Sequence, residues 1–438
     1  MSFPQYPEYK DSGVEWLGEV PAHWDVTPVR AFVEEQTAKN VSGDEENYLS
    51  LMANVGVIPY AEKGDVGNKK PDDLSKCKKV DIGDLVINSM NYGIGSYGLS
   101  GLKGVCSPVY IVLRPLEEKV LPRYALRVFE NKEFQKLAQS FGQGILVHRS
   151  AIGWDNLKNI KVPMPGTTEQ AQLSTFLDHE TSRIDALVEE QQHLIELLKE
   201  KRQAVISHAV NSFAEGPEGK LGHYIDLLPG YAFPSSGFEH DDGIRLLRGA
   251  NVSVGNTRWD DVVYWPYENT KGLDEYWLKE GDLVIGMDRP WISGGARVAR
   301  VRNSDLPALL LQRVARLRAR SGLEQDFLEL ALSSQEFKES IEADMTGVSV
   351  PHVSPEQISS FRIALPRIDK QSEIAQETRR ELGKIENLLE EASINISLMQ
   401  EHHSALISAA VTGKIDVRGW QPPAGSTAST EAAQTEAV

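Results

Sequence analysis

Residues 162–211 and residues 363–412 align at a constant offset of 201 without a gap, and 15 of the 50 positions are identical. The matches include Pro165 and Pro366, Gln170 and Gln371, Ile184 and Ile385, and the pairs Glu189–Glu190 and Glu390–Glu391. A run "A-x-I-S-x-A-V" closes both stretches, from Ala204 and from Ala405. Upstream, "GDLVI" occurs at 83–87 and again at 281–285, and "ANV" begins at Ala53 and at Ala250. The offset drifts by a few residues there, as loop insertions make it do. A duplication of this length constrains the fold more than any composition, because each copy must build the same unit.

Each copy has two parts. The first, about 140 residues, reads as short apolar strands separated by Gly, Asn, Asp and Pro, with one shorter helical stretch near its end. The second is a long helix. Apolar residues recur at spacings of three and four from Leu173 to Val210 and from Ile374 to Val411, and only Gly383 interrupts either run. At 1.5 Å per residue each helix is roughly 65 Å long. A helix apolar on one stripe needs a partner, and two in one chain most simply pair as a coiled coil. The alternative is that each helix packs on its own domain. Pro165 and Pro366 precede the helices, and Thr412–Lys414 ends the second.

The expected fold is therefore mixed α/β: two similar α+β domains separated by two long antiparallel coiled-coil helices. The expected boundaries are 1–165, a helix over 166–216, 217–366, a helix over 367–418, and a disordered tail over 419–438, low in aromatics and rich in Ala, Ser, Thr and Glu. Two similar domains held apart by helices suit a partner touched at two separated places.

Composition narrows the function. The 438 residues are 41% apolar and 25% charged, ordinary for a globular chain. No apolar run approaches the roughly 20 residues of a membrane span, and the opening "MSFPQYPEYKDSG" is no signal peptide. Cys77 and Cys106 are too few for a disulfide framework. No membrane partner and a cytoplasmic location are expected. The net charge of −17 argues against nucleic acid until it is divided. Residues 26–165 carry 18 Lys+Arg against 16 Asp+Glu, and residues 289–320 hold eight arginines against the single acid Asp305.

Catalytic signatures are decoys. Gly93-x-Gly95-x-x-Gly98 matches a dinucleotide fingerprint, but a loop and strand follow where a helix is required. There is no phosphate loop or nucleophile elbow. His402 and His403 are adjacent on a helix and point to different faces, so no metal site is expected. Binding signatures do better. The loops after each "GDLVI" place Asn91, Tyr92, Ser96 and Tyr97 in copy one, and Arg289, Trp291, Arg297, Arg300 and Arg302 in copy two, beside glycines. Such groups reach base edges, stack, or pair with phosphates. The alternative for the arginines is solvent-facing strand positions. Lys69 and Lys70 lie in a mixed-charge loop, and His148, Arg149 and His352 sit at matching places before each long helix.

With these pieces in order the chain resembles the specificity (S) subunit of type I restriction-modification systems. "YKDSGVEWLGEVPAHWDV" resembles the usual start of those chains, "GDLVI" the strand of each target recognition domain, "VPMPGTTEQAQLSTFLDHETSRID" the entry to the long helices, and "LISAAVTGKIDVRG" the chain end. Copy two departs by having Lys370–Gln371 where copy one has Glu169–Gln170. The resemblance implies that each repeat reads one half of a split, asymmetric site in double-stranded DNA and that the helices set the gap. It implies docking of two methyltransferase (M) subunits, for which Ile184, Leu187, Ile195, Leu198, Ile385, Leu388, Ile396 and Met399 are the apolar candidates. It further implies restriction/translocase (R) subunits. S-adenosylmethionine, ATP and Mg would sit on those partners, with no cofactor and no catalysis in this chain. Two alternatives stand beside it: the specificity subunit of a related system with a fused methyltransferase-nuclease partner, and a coiled-coil scaffold without DNA. The scaffold leaves the arginine cluster and glycine-rich loops idle.

Overall fold

The computed structural model of the chain describes residues 3–66, 69–141, 152–211, 218–292, 294–342 and 352–423. It divides into two compact units, Met1–Glu190 with Ile396–Val438, and Gln191–Asn395.

In the first unit, Leu85–Asn88 is buried on both faces, as its unbroken apolar run requires of a central strand. Naming β1 Val33–Glu35, β2 Leu49–Met52, β3 Gly56–Pro59, β4 Leu85–Asn88, β5 Tyr97–Leu99 and β6 Tyr110–Pro115, an antiparallel sheet forms in the order β1-β6-β4-β5, with β2 and β3 as a separate hairpin. Two helices follow, α1 Pro122–Glu130 and α2 Lys132–Ser140. Pro122 opens α1, and the Asn131 side chain caps α2 by accepting from the Glu133 and Phe134 amides at 2.9 and 3.1 Å. The core joins Leu85, Ile87 and Leu113 of the sheet to Tyr124, Phe129 and Phe134 of the helices.

The long helix α3, Thr167–Asn211, starts in this unit and packs Leu173, Phe176 and Leu177 into the same core. Leu406, Ile407, Ala410 and Val411 join it from the end of the second long helix. Residues 4–9 and 413–416 meet here too: the Asp416 amide donates to Pro4 O at 2.7 Å and the Tyr9 hydroxyl to Gly413 O at 3.1 Å. Trp420 stands edge-on against Phe176 at 5.2 Å, so a tail starting at 419 cuts off a residue that packs. Residues 424–438 of that tail lie outside the described residues.

The second unit repeats the plan. With β7 Ile225–Pro229, β8 Leu283–Gly286, β9 Val298–Arg300 and β10 Val314–Ala319, its sheet runs β7-β10-β8-β9, again antiparallel. The helices α4 Gln325–Ser333 and α5 Gln335–Glu342 take the places of α1 and α2. A further sheet of Ile244–Leu247, Tyr264–Trp265 and Ala308–Leu310 has its own small core around Phe233, Leu246 and Leu309. The second long helix, α6 Ile368–Val411, starts in this unit, and Ile206 and Val210 from the end of α3 share its core with Ile374. The two helices thus run antiparallel wherever they meet: Asp185 faces His403 at 3.7 Å in the first unit, and Arg202 faces Glu386 in the second. Among the described residues no helix is long and apolar enough to cross a membrane.

Two devices fix each domain to the helix that follows it. The first is a buried glutamine. Gln170 accepts from the Leu121 amide at 2.9 Å and donates to Lys119 O and Pro165 O. Gln371 makes the equivalent three bonds, to the Glu324 amide at 2.8 Å and to Gly322 O and Pro366 O. The second is an ion pair with its charges exchanged between copies. In the first unit Arg123 and Arg127 of α1 pair with Asp178 of α3. In the second, Asp326 of α4 pairs with Arg379 of α6 at 2.8 Å, in the positions equivalent to Arg123 and Asp178. The hydrogen bond from Arg379, followed by the nearby charge of Arg300, holds the Asp326 carboxyl below its usual range.

Gln371→Ala leaves two carbonyls and an amide without their partner in a buried place, and is expected to destabilise the second unit by roughly 2–3 kcal/mol in denaturant unfolding. Asp326→Arg is expected to destabilise it as well, and the double exchange Asp326→Arg with Arg379→Asp to recover most of the loss. Because folding lowers the Asp326 pKa, its contribution is present above the unfolded value near 4 and is lost as pH falls through the folded one. The stability gap between the parent and Asp326→Asn should therefore close below about pH 4.

Candidate nucleic-acid interface

The repeated "GDLVI" is first a structural clamp. Gly83 and Gly281 both take φ +87°, the left-handed region that favours glycine. The next residue, Asp84 or Asp282, is buried. Asp84 accepts from the Asp81 amide at 2.9 Å and from Arg114 Nε at 2.9 Å. Asp282 accepts from the Lys279 amide at 2.8 Å and from Arg318 Nη2 at 2.8 Å. Arg114 and Arg318 lie on the neighbouring strands β6 and β10, so each carboxylate ties a turn to two strands. The clamp fixes the start of β4 and β8, and with it where the far ends of those strands emerge.

The loops at those far ends share one backbone hydrogen bond, and a second reaches the equivalent carbonyl from a different donor in each unit. In the first unit the Ile152 amide donates to Ser89 O at 3.0 Å, and in the second the Val353 amide donates to Met287 O at 2.8 Å. Ser89 Oγ donates to Val109 O at 3.1 Å, and the Met287 amide donates to Arg313 O at 2.9 Å. The strand registers Tyr110↔Asn88 and Val314↔Gly286 make Val109 and Arg313 the same position. Each unit therefore presents one loop edge. In the second unit it carries Asp288, Arg289, Arg313 and His352. His352 Nδ1 is 2.7 Å from Asp288 Oδ1, and Arg313 Nη1 is 3.6 Å from the same oxygen. In the first unit the same edge carries Met90, Asn91 and Val109, with the tip of the β2–β3 hairpin alongside. There the Asn54 amide donates to Gly95 O at 2.9 Å.

Of the residues expected from sequence, Arg289, His352 and Asn91 come to these edges. Others are turned inward. Tyr92 and Ser96 are 1% and 2% exposed, and the Tyr92 hydroxyl donates to Phe129 O at 2.5 Å; burial pushes its pKa well up. Tyr97 packs against Tyr92, and burial pushes its pKa to about 12. Trp291 packs its ring on Phe337. The Arg297 guanidinium lies over Gly286 and donates to Val252 O and Asp288 O, so it supports the loop from beneath; burial lowers its pKa. Arg300 is held by Asp326 and Glu329. None of these six is a free DNA contact. Arg302 is exposed beyond β9. Lys69 and Lys70 are exposed, but the 3.5 Å contact of Lys70 with Glu46 O puts them at the end of the β2–β3 hairpin away from its turn. His148 and Arg149 lie outside the described residues.

The glycines of "GIGSYG" serve packing. A Cβ on Gly98 would come within 2.8 Å of the Gly56 backbone, and one on Gly95 within 2.1 Å of the Asn54 side chain. Among the described residues no group of three acids, histidines or cysteines is placed to hold a metal ion. Sequence reasoning missed Asp288, Arg313, Met90 and Val109. Aligning the copies by their strands pairs Met90 with Asp288 from "GDLVI" and Val109 with Arg313 from the Arg114–Arg318 match.

The helix candidates divide in the same way. Ile184, Leu198 and Ile385 are buried, while Ile195, Ile396 and Met399 are half-buried. These six line or border the helix pair and are not an outward surface. Leu187 and Leu388 are exposed, as are Leu194, Leu197, Ile394 and Leu398, which sequence reasoning passed over. Leu187 with Leu388 and Leu197 with Leu398 are equivalent pairs at the offset of 201.

The family described as the Type I restriction modification DNA specificity domain matches residues 43–197. Over 420 residues the chain is 25% identical to the Type I restriction enzyme MjaVIII specificity subunit of Methanocaldococcus jannaschii, covering 91% of this chain and 94% of that one. Over 165 residues it is 41% identical to the Type I restriction enzyme EcoAI specificity subunit of Escherichia coli, covering 36% of this chain and 28% of that one. A solved structure from work on complex assembly and conformational transition of the type I R-M system superposes with a TM-score of 0.65 at 14% identity, covering 90% of this chain and 98% of that one. Over most of its length the chain is thus similar to specificity subunits of type I restriction-modification systems.

The inward and outward arginines separate in experiment. Arg300→Ala and Arg297→Ala are expected to lower unfolding stability by about 1–3 kcal/mol, since each removes hydrogen bonds to partly buried carboxylates or carbonyls. Arg302→Ala should stay within about 0.5 kcal/mol of the parent in the same denaturant titration.

Proposed function

We propose that this chain reads DNA sequence for a type I restriction-modification complex, each unit reading one half of a split site in duplex DNA. The observation that carries this is the pair of loop edges. One hydrogen-bonded framework appears in both units, and the exposed side chains on it differ at every equivalent position. Sequence-specific contact needs side chains projected from a rigid support, and a split asymmetric site needs two such supports with different side chains.

The long helices present Leu187, Leu197, Leu388 and Leu398 outward at equivalent positions, which suits two copies of one apolar partner surface. We assign that surface to two methyltransferase subunits, with restriction/translocase subunits joining the same complex in the cytoplasm. S-adenosylmethionine, ATP and Mg belong to those partners in this reading. The chemistry of this chain is positional: Asp84 and Asp282 clamp the strands that carry the edges, and Gln170 and Gln371 lock each domain to its helix. A related system whose single partner both methylates and cuts would use the same surfaces.

Co-expression with the neighbouring methyltransferase gene, followed by mapping of methylated adenines, should give a motif of two defined parts around a fixed unspecified gap. A complex that assembles but methylates no such motif overturns the reading. Leu187→Asp and Leu388→Asp should each remove one methyltransferase copy in native mass measurements, and the pair together both copies.

A further inference from the structure

The two edges share a framework but not a chemistry. At three equivalent positions the first unit has Met90, Asn91 and Val109 where the second has Asp288, Arg289 and Arg313. Met90 and Val109 are 48% and 53% exposed, although both are apolar. The hairpin tip beside them adds exposed Val55 and the uncharged Asn54, and the turn Tyr92–Ile94 adds exposed Ile94. The first edge thus offers methyl and thioether surface with two amides. The second offers two guanidinium groups around one carboxylate.

Backbone conformation points to the same places. Among the described residues, three that are not glycine have positive φ: Asn54 at 60°, Arg289 at 46° and Arg313 at 70°. All three lie on these loop edges. Asn takes that conformation readily, but an arginine there is strained by roughly 1 kcal/mol or more. Neither arginine uses the strain to make a buried contact. Among the described residues Arg313 makes the long contact with Asp288 and one of 3.5 Å with His352 Nδ1. Asp288 is also held by His352, so the carboxylate sits as a fixed acceptor that orients Arg313 without burying it.

We infer that the two units read bases of different kind from equivalent positions: the second recognises a guanine through Arg313 and Arg289, and the first recognises an adenine–thymine step through Asn91 and the apolar side chains Met90 and Val109. This rests on the DNA-reading function proposed above. The major groove explains the pairing. Guanine presents two acceptors, N7 and O6, that match an arginine fork. Adenine presents an acceptor and a donor that match an amide, and thymine presents a methyl group that only an apolar contact reads. Among the described residues the first edge carries no cation to read guanine by the arginine route, while its exposed methyl and thioether groups suit a thymine methyl.

The test uses the methyltransferase complex on duplex libraries carrying the split site and its single-base changes. Arg313→Ala and Arg289→Ala should each reduce discrimination for guanine about ten- to hundredfold at a position in one half, leaving the other half unchanged. Replacing thymines by deoxyuridine, which lacks the methyl group, should slow methylation when made in the other half, and Met90→Ala with Val109→Ala should abolish that difference. Arg313→Gly relieves the left-handed strain, so it should lose the same discrimination while unfolding no earlier than the parent. Guanine discrimination unchanged in both arginine variants, or deoxyuridine without effect in either half, overturns the inference. Absence of any split site overturns instead the reading on which it rests.

Discussion

A buried aspartate directly after a left-handed glycine, answered by an arginine on the next strand, is the constraint on which both recognition edges depend. Asp84 and Asp282 accept from a turn amide and from the forks of Arg114 and Arg318 at once. A carboxylate away from water is costly unless it is paired and hydrogen-bonded, and here its bonds join a turn amide to the arginine fork of the neighbouring strand. The pairing therefore sets the strand register rather than decorating it. A slip of one residue between β4 and β6 would leave the carboxylate facing an apolar neighbour and move Leu85 and Ile87 from the core they share with the helices to the opposite face of the sheet. Because register is fixed at one end of a short strand, the loop at the other end begins from a fixed place. This is why the same five residues recur while the loops after them do not.

The helices and their pairing were legible in the sequence because a 3.6-residue stripe sustained over forty residues has few other interpretations. The duplication was legible because 15 of 50 positions match at a constant offset without a gap, Ile184 with Ile385 and Gln170 with Gln371 among them. The residues exposed on the loop edges were not. Sequence spacing treats Arg297, Arg300 and Arg313 alike, and the structure gives them three fates: Arg297 under a loop, Arg300 in an acidic cluster with Asp326 and Glu329, and Arg313 exposed on a turn. What separates them is a partner distant in sequence, which no local pattern encodes. Tyr92 and Ser96 failed for a related reason. A polar residue beside glycines reads as a mobile loop, but glycines also allow backbones to approach closely, and Gly98 against Gly56 draws this loop inward.

Duplication raises a difficulty that the charge-exchanged pairs address. Two similar domains and two similar helices in one chain permit each domain to pack against the wrong helix start. The shared features would not oppose it, since Gln170 and Gln371 make the same three bonds. Arg123 with Asp178 and Asp326 with Arg379 do oppose it. In the exchanged arrangement arginine would meet arginine and aspartate would meet aspartate at equivalent positions. Like charges brought together add a penalty, and each also loses its partner, so the difference between right and wrong pairing exceeds the value of either pair alone. The pairs contribute modest stability and much of their effect as discrimination.

The same logic applies at the recognition edges with the opposite outcome. Between copies, residues that clamp or staple are kept, residues that choose a helix are kept in place but reversed in sign, and residues on the loop tips share neither identity nor sign. Met90, Asn91 and Val109 against Asp288, Arg289 and Arg313 are differences that the framework tolerates because none of the six supports the core. An exposed tip held by backbone hydrogen bonds from below can change its side chains at little cost to folding. A fold in which the support is made by the backbone and by buried Asp, Arg and Gln leaves its outermost side chains free to follow the bases they meet. Two copies of such a fold can then come to read unlike sequences without altering anything that holds them in place.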